Sequence, residues 1–180
     1  MTENVLTDYY AFVKVANWEA AEEKLMQLIE DGDKGFWILC ELSGVYYQLK
    51  DYKKALIYAK KAYLKNPNSP LVLWHYSIAL MKNEKESRAI KMLHKILNYN
   101  EEEIAFKITK EGKRWAQSLR NDVGFLIAEA YYILSENNKA LEYVQEHLKS
   151  RRKGLPSTYT KAQVLKLLKK IEYSISAHNS

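Results

Sequence analysis

Phe36 to Ser69 reads FWILCELSGVYYQLKDYKKALIYAKKAYLKNPNS. Leu39, Leu42, Tyr46 and Leu49 recur at helical spacing and lie on one face, while Ala55, Leu56, Ala59, Ala62 and Tyr63 form a second such face after the break at Lys50-Asp51. Two amphipathic helices joined by so short a break make a hairpin. Ser43, Ala55, Ala59 and Ala62 are small enough to let the two helix backbones approach, and Tyr46 and Tyr52 fill the space that remains. Asn66-Pro67-Asn68-Ser69-Pro70 stops the second helix, because proline removes a backbone donor and fixes its own φ. A hairpin of this kind leaves an apolar flank open, so it needs a neighbour to cover it.

Such neighbours flank it on both sides. Trp18-Glu19-Ala20-Ala21, Tyr52-Lys53-Lys54-Ala55 and Glu86-Ser87-Arg88-Ala89 place alanines at 21, 55 and 89, equal gaps of 34 residues. Asn137-Asn138-Lys139-Ala140 lies a further 51 residues along, one period plus an insertion of 17. A repeating hairpin of 34 residues resembles the tetratricopeptide repeat. In Phe36–Ser69 the resemblance rests on Leu39, Leu42, Ser43, Tyr46, Tyr52, Ala55, Ala59, Ala62 and Pro67. In the next copy it rests on Leu73, Tyr76, Ser77, Leu80, Ala89, Leu93 and Ile96, with Glu86 where an aromatic is usual. The outer copies keep Val5, Tyr9, Phe12, Trp18, Ala21, Leu25 and Leu28, and then Ile127, Ala128, Tyr131, Ala140 and Val144. The resemblance implies an all-α, right-handed superhelix of four hairpins in a single domain, spanning about 2–35, 36–69, 70–103 and 121–154.

Two segments depart from the period. Within 104–120 and beyond, Trp115, Leu119, Val123, Leu126, Ala130 and Leu134 keep helical spacing. The first helix of the last hairpin is therefore predicted to begin near Gly112 and to be long, with a separate short helix at about Glu102 to Lys110 before it. The insertion reads as a packing elaboration or, through Arg114 and Trp115, as a secondary contact for a partner. A final helix at about 157–176 opens with Thr160 and Gln163 spaced as a capping box, and Val164, Leu165, Leu168, Ile171 and Ile175 form its apolar stripe. It is predicted to cover the last hairpin as a solubilising cap.

Of the 180 residues, 47% are hydrophobic and 28% charged, with only 6 Gly and 3 Pro, which fits a helical globular chain and not a loop-rich β protein. Cys40 stands alone and His75, His94, His147 and His178 are scattered, so neither a disulfide framework nor a structural zinc site is expected. The start MTENVLTDYY has no basic region before an apolar core, and no apolar run has the length of a membrane span; a cytoplasmic location is the expectation. Leu148 to Ser180 holds eight basic residues against Glu172, net +7, and leaves the remainder of the chain at −1.

No phosphate-binding, dinucleotide, zinc-protease or nucleophile-elbow motif occurs. Glu30-Asp31-Gly32-Asp33 lacks the alternate ligands and closing Glu of a calcium loop and reads as a helix-end turn. Cys40 and His75 read as packing residues, not as a nucleophile and its base. No catalytic residue, cofactor or metal is expected.

The resemblance also implies which residues face inward. These include Tyr10, Trp37, Glu41, Tyr47, Trp74, His75, Met81, Phe125, Glu129 and Tyr132, which are the candidate partner-binding residues. Leu6 and Tyr10 stand where relatives that grip a C-terminal carboxylate carry Lys and Asn, so that recognition is not implied. An aromatic, Met-containing surface with Glu41 and Glu129 suits an apolar peptide or helix carrying a basic residue. The expected function is a non-enzymatic adaptor or scaffold that binds a protein or peptide. Association with nucleic acid or an anionic surface through the basic C-terminal segment, and a small secretion-type chaperone, are the alternatives; the former lacks aromatics interleaved with its basic residues.

Overall fold

The computed structural model of the protein describes residues 2–33, 35–108 and 111–178. Among these residues all regular elements are helical: α1 (Thr2–Lys14), α2 (Trp18–Glu30), α3 (Phe36–Gln48), α4 (Tyr52–Lys65), α5 (Pro70–Met81), α6 (Glu86–Leu97), a π-helical turn (Glu103–Ile108), α7 (Lys113–Ile133), α8 (Asn137–Arg152) and α9 (Lys161–His178). None is long and apolar enough to cross a membrane. The chain forms two compact units, Met1–Glu84 and Lys85–Ser180.

The turns between paired helices share one geometry. Ala16, Lys50, Glu84 and Ser135 all have left-handed backbone, with φ of 56°, 62°, 57° and 61°. The N–H of each donates to the carbonyl three residues earlier, on Val13, Tyr47, Met81 and Tyr132, at 3.0–3.2 Å. The four positions are separated by 34, 34 and 51 residues, so the backbone itself repeats with the alanines. None of the four is glycine, and left-handed backbone costs a residue with a side chain about 1–2 kcal/mol. Packing beyond the turn must hold it. In the first two turns the next residue helps: Asn17 Oδ1 accepts from the Ala20 N–H at 3.2 Å and Asp51 Oδ1 from the Lys54 N–H at 3.0 Å.

In the first unit α3 and α4 pack closely, as do α1 and α2, and Ala21, Ala55, Ala59 and Ala62 are fully buried. Tyr46 stacks on Tyr58 at 5.2 Å between ring centres, and its hydroxyl donates to Glu22 on α2. Tyr63 and Tyr76 stack at 5.0 Å and join α4 to α5. Cys40 lies with Leu39, Ala62 and Val72 in an apolar cluster.

The second unit is built on the 21-residue α7. It begins at Lys113, as the spacing predicts, and its Arg120 guanidinium donates to the carbonyls of Leu97, at 2.8 Å, and Tyr99, closing the end of α6. The short helix predicted at about Glu102 to Lys110 is present as a π-helix at Glu103–Ile108; Thr109 and Lys110 fall outside the described residues. Asn100 and Glu103 start it with a reciprocal pair of side chain to backbone bonds at 2.8 and 3.0 Å.

The cap helix α9 covers Phe125, Ala128, Ala140 and Val144 with Val164, Leu167 and Ile171. Thr160 and Gln163 make the predicted capping box. The stripe differs by one residue from the sequence expectation: Leu167 is buried and Leu165 is 37% exposed, because the helix is rotated to seat 164, 167 and 171. The link into α9 hangs on buried Asp122, whose carboxylate accepts from Ser157 Oγ at 2.5 Å, the Thr158 N–H at 2.8 Å and Thr158 Oγ1 at 2.9 Å.

Ala55 is the sharpest test of this packing, since it is fully buried between closely packed helices. Ala55→Leu should cost about 1–3 kcal/mol through overpacking, read as a lower midpoint in thermal denaturation. An unchanged midpoint would contradict the register.

Candidate functional site

Six of the ten inward candidates that the sequence nominates lie on α3 and α5 of the first unit, and Tyr10 lies on α1. Trp37 and Glu41 are one helical turn apart and share a face of α3, which continues to Gly44. His75 of α5 sits over that glycine: a Cβ added at Gly44 would lie 3.6 Å from the imidazole Cε1. From α1, the Tyr9 hydroxyl donates to Glu41 Oε2 at 2.5 Å. The Tyr10 ring lies 5.0 Å from that of Tyr9 and is 59% exposed. α1 thus reaches Glu41, while α5 meets α3 one turn further along, at Gly44.

Local backbone explains the orientation of Trp37. Its indole folds back over Gly35, where a Cβ would come within 2.7 Å of Cδ1, so a close approach requires glycine there. The Gly35 N–H in turn donates to Asp33 Oδ1 at 2.8 Å. This assigns Asp31-Gly32-Asp33 to a helix-end turn, with Gly32 at φ 99°. Among the described residues no group of acids, histidines and cysteine could hold a metal ion.

Electrostatics sharpen the picture. Burial pushes the Tyr9 phenol well above its ordinary range, and the bond to Glu41 adds to it, so Tyr9 remains a donor. Burial pushes the Cys40 thiol up to about 12, with Glu41 adding to the effect, which keeps the thiolate from forming near neutral pH. Burial pushes the His75 imidazole down to about 4, so it is neutral at pH 7. Trp37, Glu41, Trp74, His75 and Met81 are all half-buried.

Other candidates fall elsewhere. Tyr47 is also half-buried, but its ring packs 5.8 Å from Tyr52, with Lys82 Nζ 5.7 Å above it, at the turn end of α3. Phe125 is not an inward contact residue: it is 1% exposed, with its ring 4.5 Å from Tyr159 and 5.3 Å from His147, because the segment leading into α9 folds over it. Tyr132 is half-buried against the same core, and Glu129 is half-buried on α7. The Arg114 guanidinium donates to the Gly154 carbonyl at 3.1 Å, and Trp115 is half-buried. Of the basic C-terminal residues, Arg151 donates to the Tyr159 carbonyl at 2.5 Å, while Lys161, Lys166, Lys169 and Lys170 lie on the exposed side of α9.

Sequence reasoning places Tyr9 in the first hairpin's core and misses its bond to Glu41, as it misses the part played by Gly35 and Gly44. A small residue one turn beyond an acid on an otherwise aromatic helix is the signal that could have exposed the last.

Solved structures share this fold. RapI in its apo form superposes with a TM-score of 0.72 at 16% identity over 99% of this chain, which spans 65% of the RapI chain. A MamA structure gives 0.62 at 14% identity, covering 96% of this chain and 91% of its own. A second MamA structure gives 0.60 at 19%, covering 86% and 79%. The fold is that of the tetratricopeptide-repeat proteins. No protein-family model and no curated protein sequence matches the chain.

The depressed His75 imidazole makes a measurable claim. Its ordinary pKa is 6.5 and its folded value about 4, so between these pH values the unfolded chain takes up a proton that the folded one refuses. Stability from this group is full above about pH 6.5 and is lost progressively down to about pH 4. Urea denaturation should show the protein losing on the order of 2 kcal/mol more than His75→Gln across that window. Parallel losses would contradict the burial of the ring.

Proposed function

We propose that the protein is a non-enzymatic interaction module, an adaptor or scaffold, and that its partner is a protein segment received on the face of the first unit formed by α1, α3 and α5. The likeness to RapI and MamA supports a role in protein–protein interaction at the level of the fold. The observation that carries the specific reading is the set of partly accessible rings, Tyr10, Trp37 and Trp74, on one unit. Two of them lie on helices that contain neither Lys nor Arg.

Large aromatic surfaces left partly open to water are costly to hydrate and contribute most when a partner covers them. Tyr47, at the turn end of α3, and Met81, at the end of α5, extend this apolar character along the helices, and methionine adapts to irregular partner shapes. Cys40, buried with its thiol protonated, contributes packing. The exposed lysines of α9 are the solvated side of a cap whose other side holds Phe125.

Core rings and contact rings respond differently to truncation. A core ring lost to alanine costs about 3–5 kcal/mol of stability, whereas a half-open contact ring costs less and removes binding energy. Trp74→Ala should weaken the complex with a partner isolated by cross-linking and identified by mass spectrometry by at least about 2 kcal/mol, measured by calorimetry, with a small change in thermal midpoint. Unfolding of the variant, or unchanged affinity, would contradict this surface.

A further inference from the structure

α3 reads FWILCELSGVYYQ and α5 reads PLVLWHYSIALM, and Glu41 is the single carboxylate in both, with no Lys or Arg beside it in either. Its side chain is half-buried beside Tyr9. Among the described residues its hydrogen-bond partner is the neutral Tyr9 hydroxyl, which satisfies Oε2 and brings no positive charge. The imidazole of His75, over Gly44 one turn further along α3, is uncharged at neutral pH because burial holds it down to about 4.

Several cations of the same unit are occupied elsewhere. Lys24 pairs with Asp8 at 3.5 Å, and Lys54 lies 3.7 Å from Asp51 and over the Tyr46 ring. Lys61 covers Tyr58, and Lys82 covers Tyr47 and Tyr52. An ionised carboxylate in surroundings less polarisable than water attracts a cation more strongly than a solvated one does. Its remaining oxygen can accept a charge-assisted bond. Tyr10, beside Tyr9 and largely open to water, offers a ring of the kind that draws a flat guanidinium more than a strongly hydrated ammonium, and Trp37 lies one turn before Glu41.

We propose that Glu41 is the specificity-determining residue of this face and receives an arginine side chain carried by an otherwise apolar partner segment, with lysine as the weaker substitute. The inference rests on the reading of α1, α3 and α5 as the partner surface. It commits to one charge at one place: a segment with an acid at that position meets repulsion from Glu41, and a fully apolar one leaves the carboxylate covered and unpaired.

The test is a display library of random twelve-residue peptides selected on the full chain, followed by fluorescence polarisation with a selected peptide and its Arg→citrulline analogue. Citrulline keeps the shape of the arginine and removes its charge. Selected sequences should be enriched in arginine among apolar residues, and citrulline should weaken binding to the protein by about tenfold or more while changing binding to Glu41→Gln little. The Gln variant keeps an acceptor for Tyr9, and an unchanged thermal midpoint will show that it folds. Peptides without basic enrichment, or an equal loss on the protein and on Glu41→Gln, overturn the role of Glu41; if Trp74→Ala still abolishes their binding, the face itself stands. Failure to select any peptide whose binding depends on Trp74 overturns both.

Discussion

The close approach of helix backbones at buried alanines is the constraint on which the rest depends. Ala21, Ala55, Ala89 and Ala140 are each fully buried, and larger side chains there would force the helices apart. Close helices need a tight connection, and the left-handed residue in each turn provides one at a local cost of about 1–2 kcal/mol. That the cost is met at Ala16, Lys50, Glu84 and Ser135 without a glycine shows how firmly the packing on either side holds the turn. The shared face of α3 follows from this. Once α3 is seated on α4 through its small-residue side, Trp37, Glu41 and Gly44 are turned together onto another side.

Much of this is legible in the sequence because it obeys a period. Alanines 34 residues apart, the break at Lys50-Asp51, the helix start near Gly112 and the box at Thr160 and Gln163 are all local signals, and the structure follows them. The misses come from tertiary contacts that leave no periodic trace. Phe125 occupies an inward repeat position, yet the segment after Gly154 covers it, held by a buried carboxylate at Asp122 that only a folded chain brings to Ser157 and Thr158. Leu165 and Leu167 are equally apolar, and which one is buried depends on the rotation of α9 against α8, which spacing alone leaves open.

The candidate site divides along the same line. That aromatics gather on α3 and α5 is visible in the one-dimensional pattern, whereas their use is not. Tyr47 serves a contact with Tyr52 and Lys82, while Trp37 is aimed by a glycine two residues earlier. The bond between Tyr9 and Glu41 links residues 32 apart and turns an ordinary acid into a positioned one. Position 41 is one period before His75, so an acid and a neutral imidazole occupy equivalent places on the first helices of successive hairpins, α3 and α5. A repeat array can vary the chemistry of its inner face in this way while the packing residues stay fixed.

If one hairpin recurs with a single insertion before the last copy, its left-handed turn must recur with it. Backbone φ at Ala16, Lys50, Glu84 and Ser135, obtained from NMR scalar couplings and chemical shifts, tests it directly. Positive φ at all four, near the 56–62° of the structure, is the predicted result. A negative φ at Ser135, with helix running unbroken from α7 into α8, would contradict it, because the 51-residue offset would then not be one period plus an insertion.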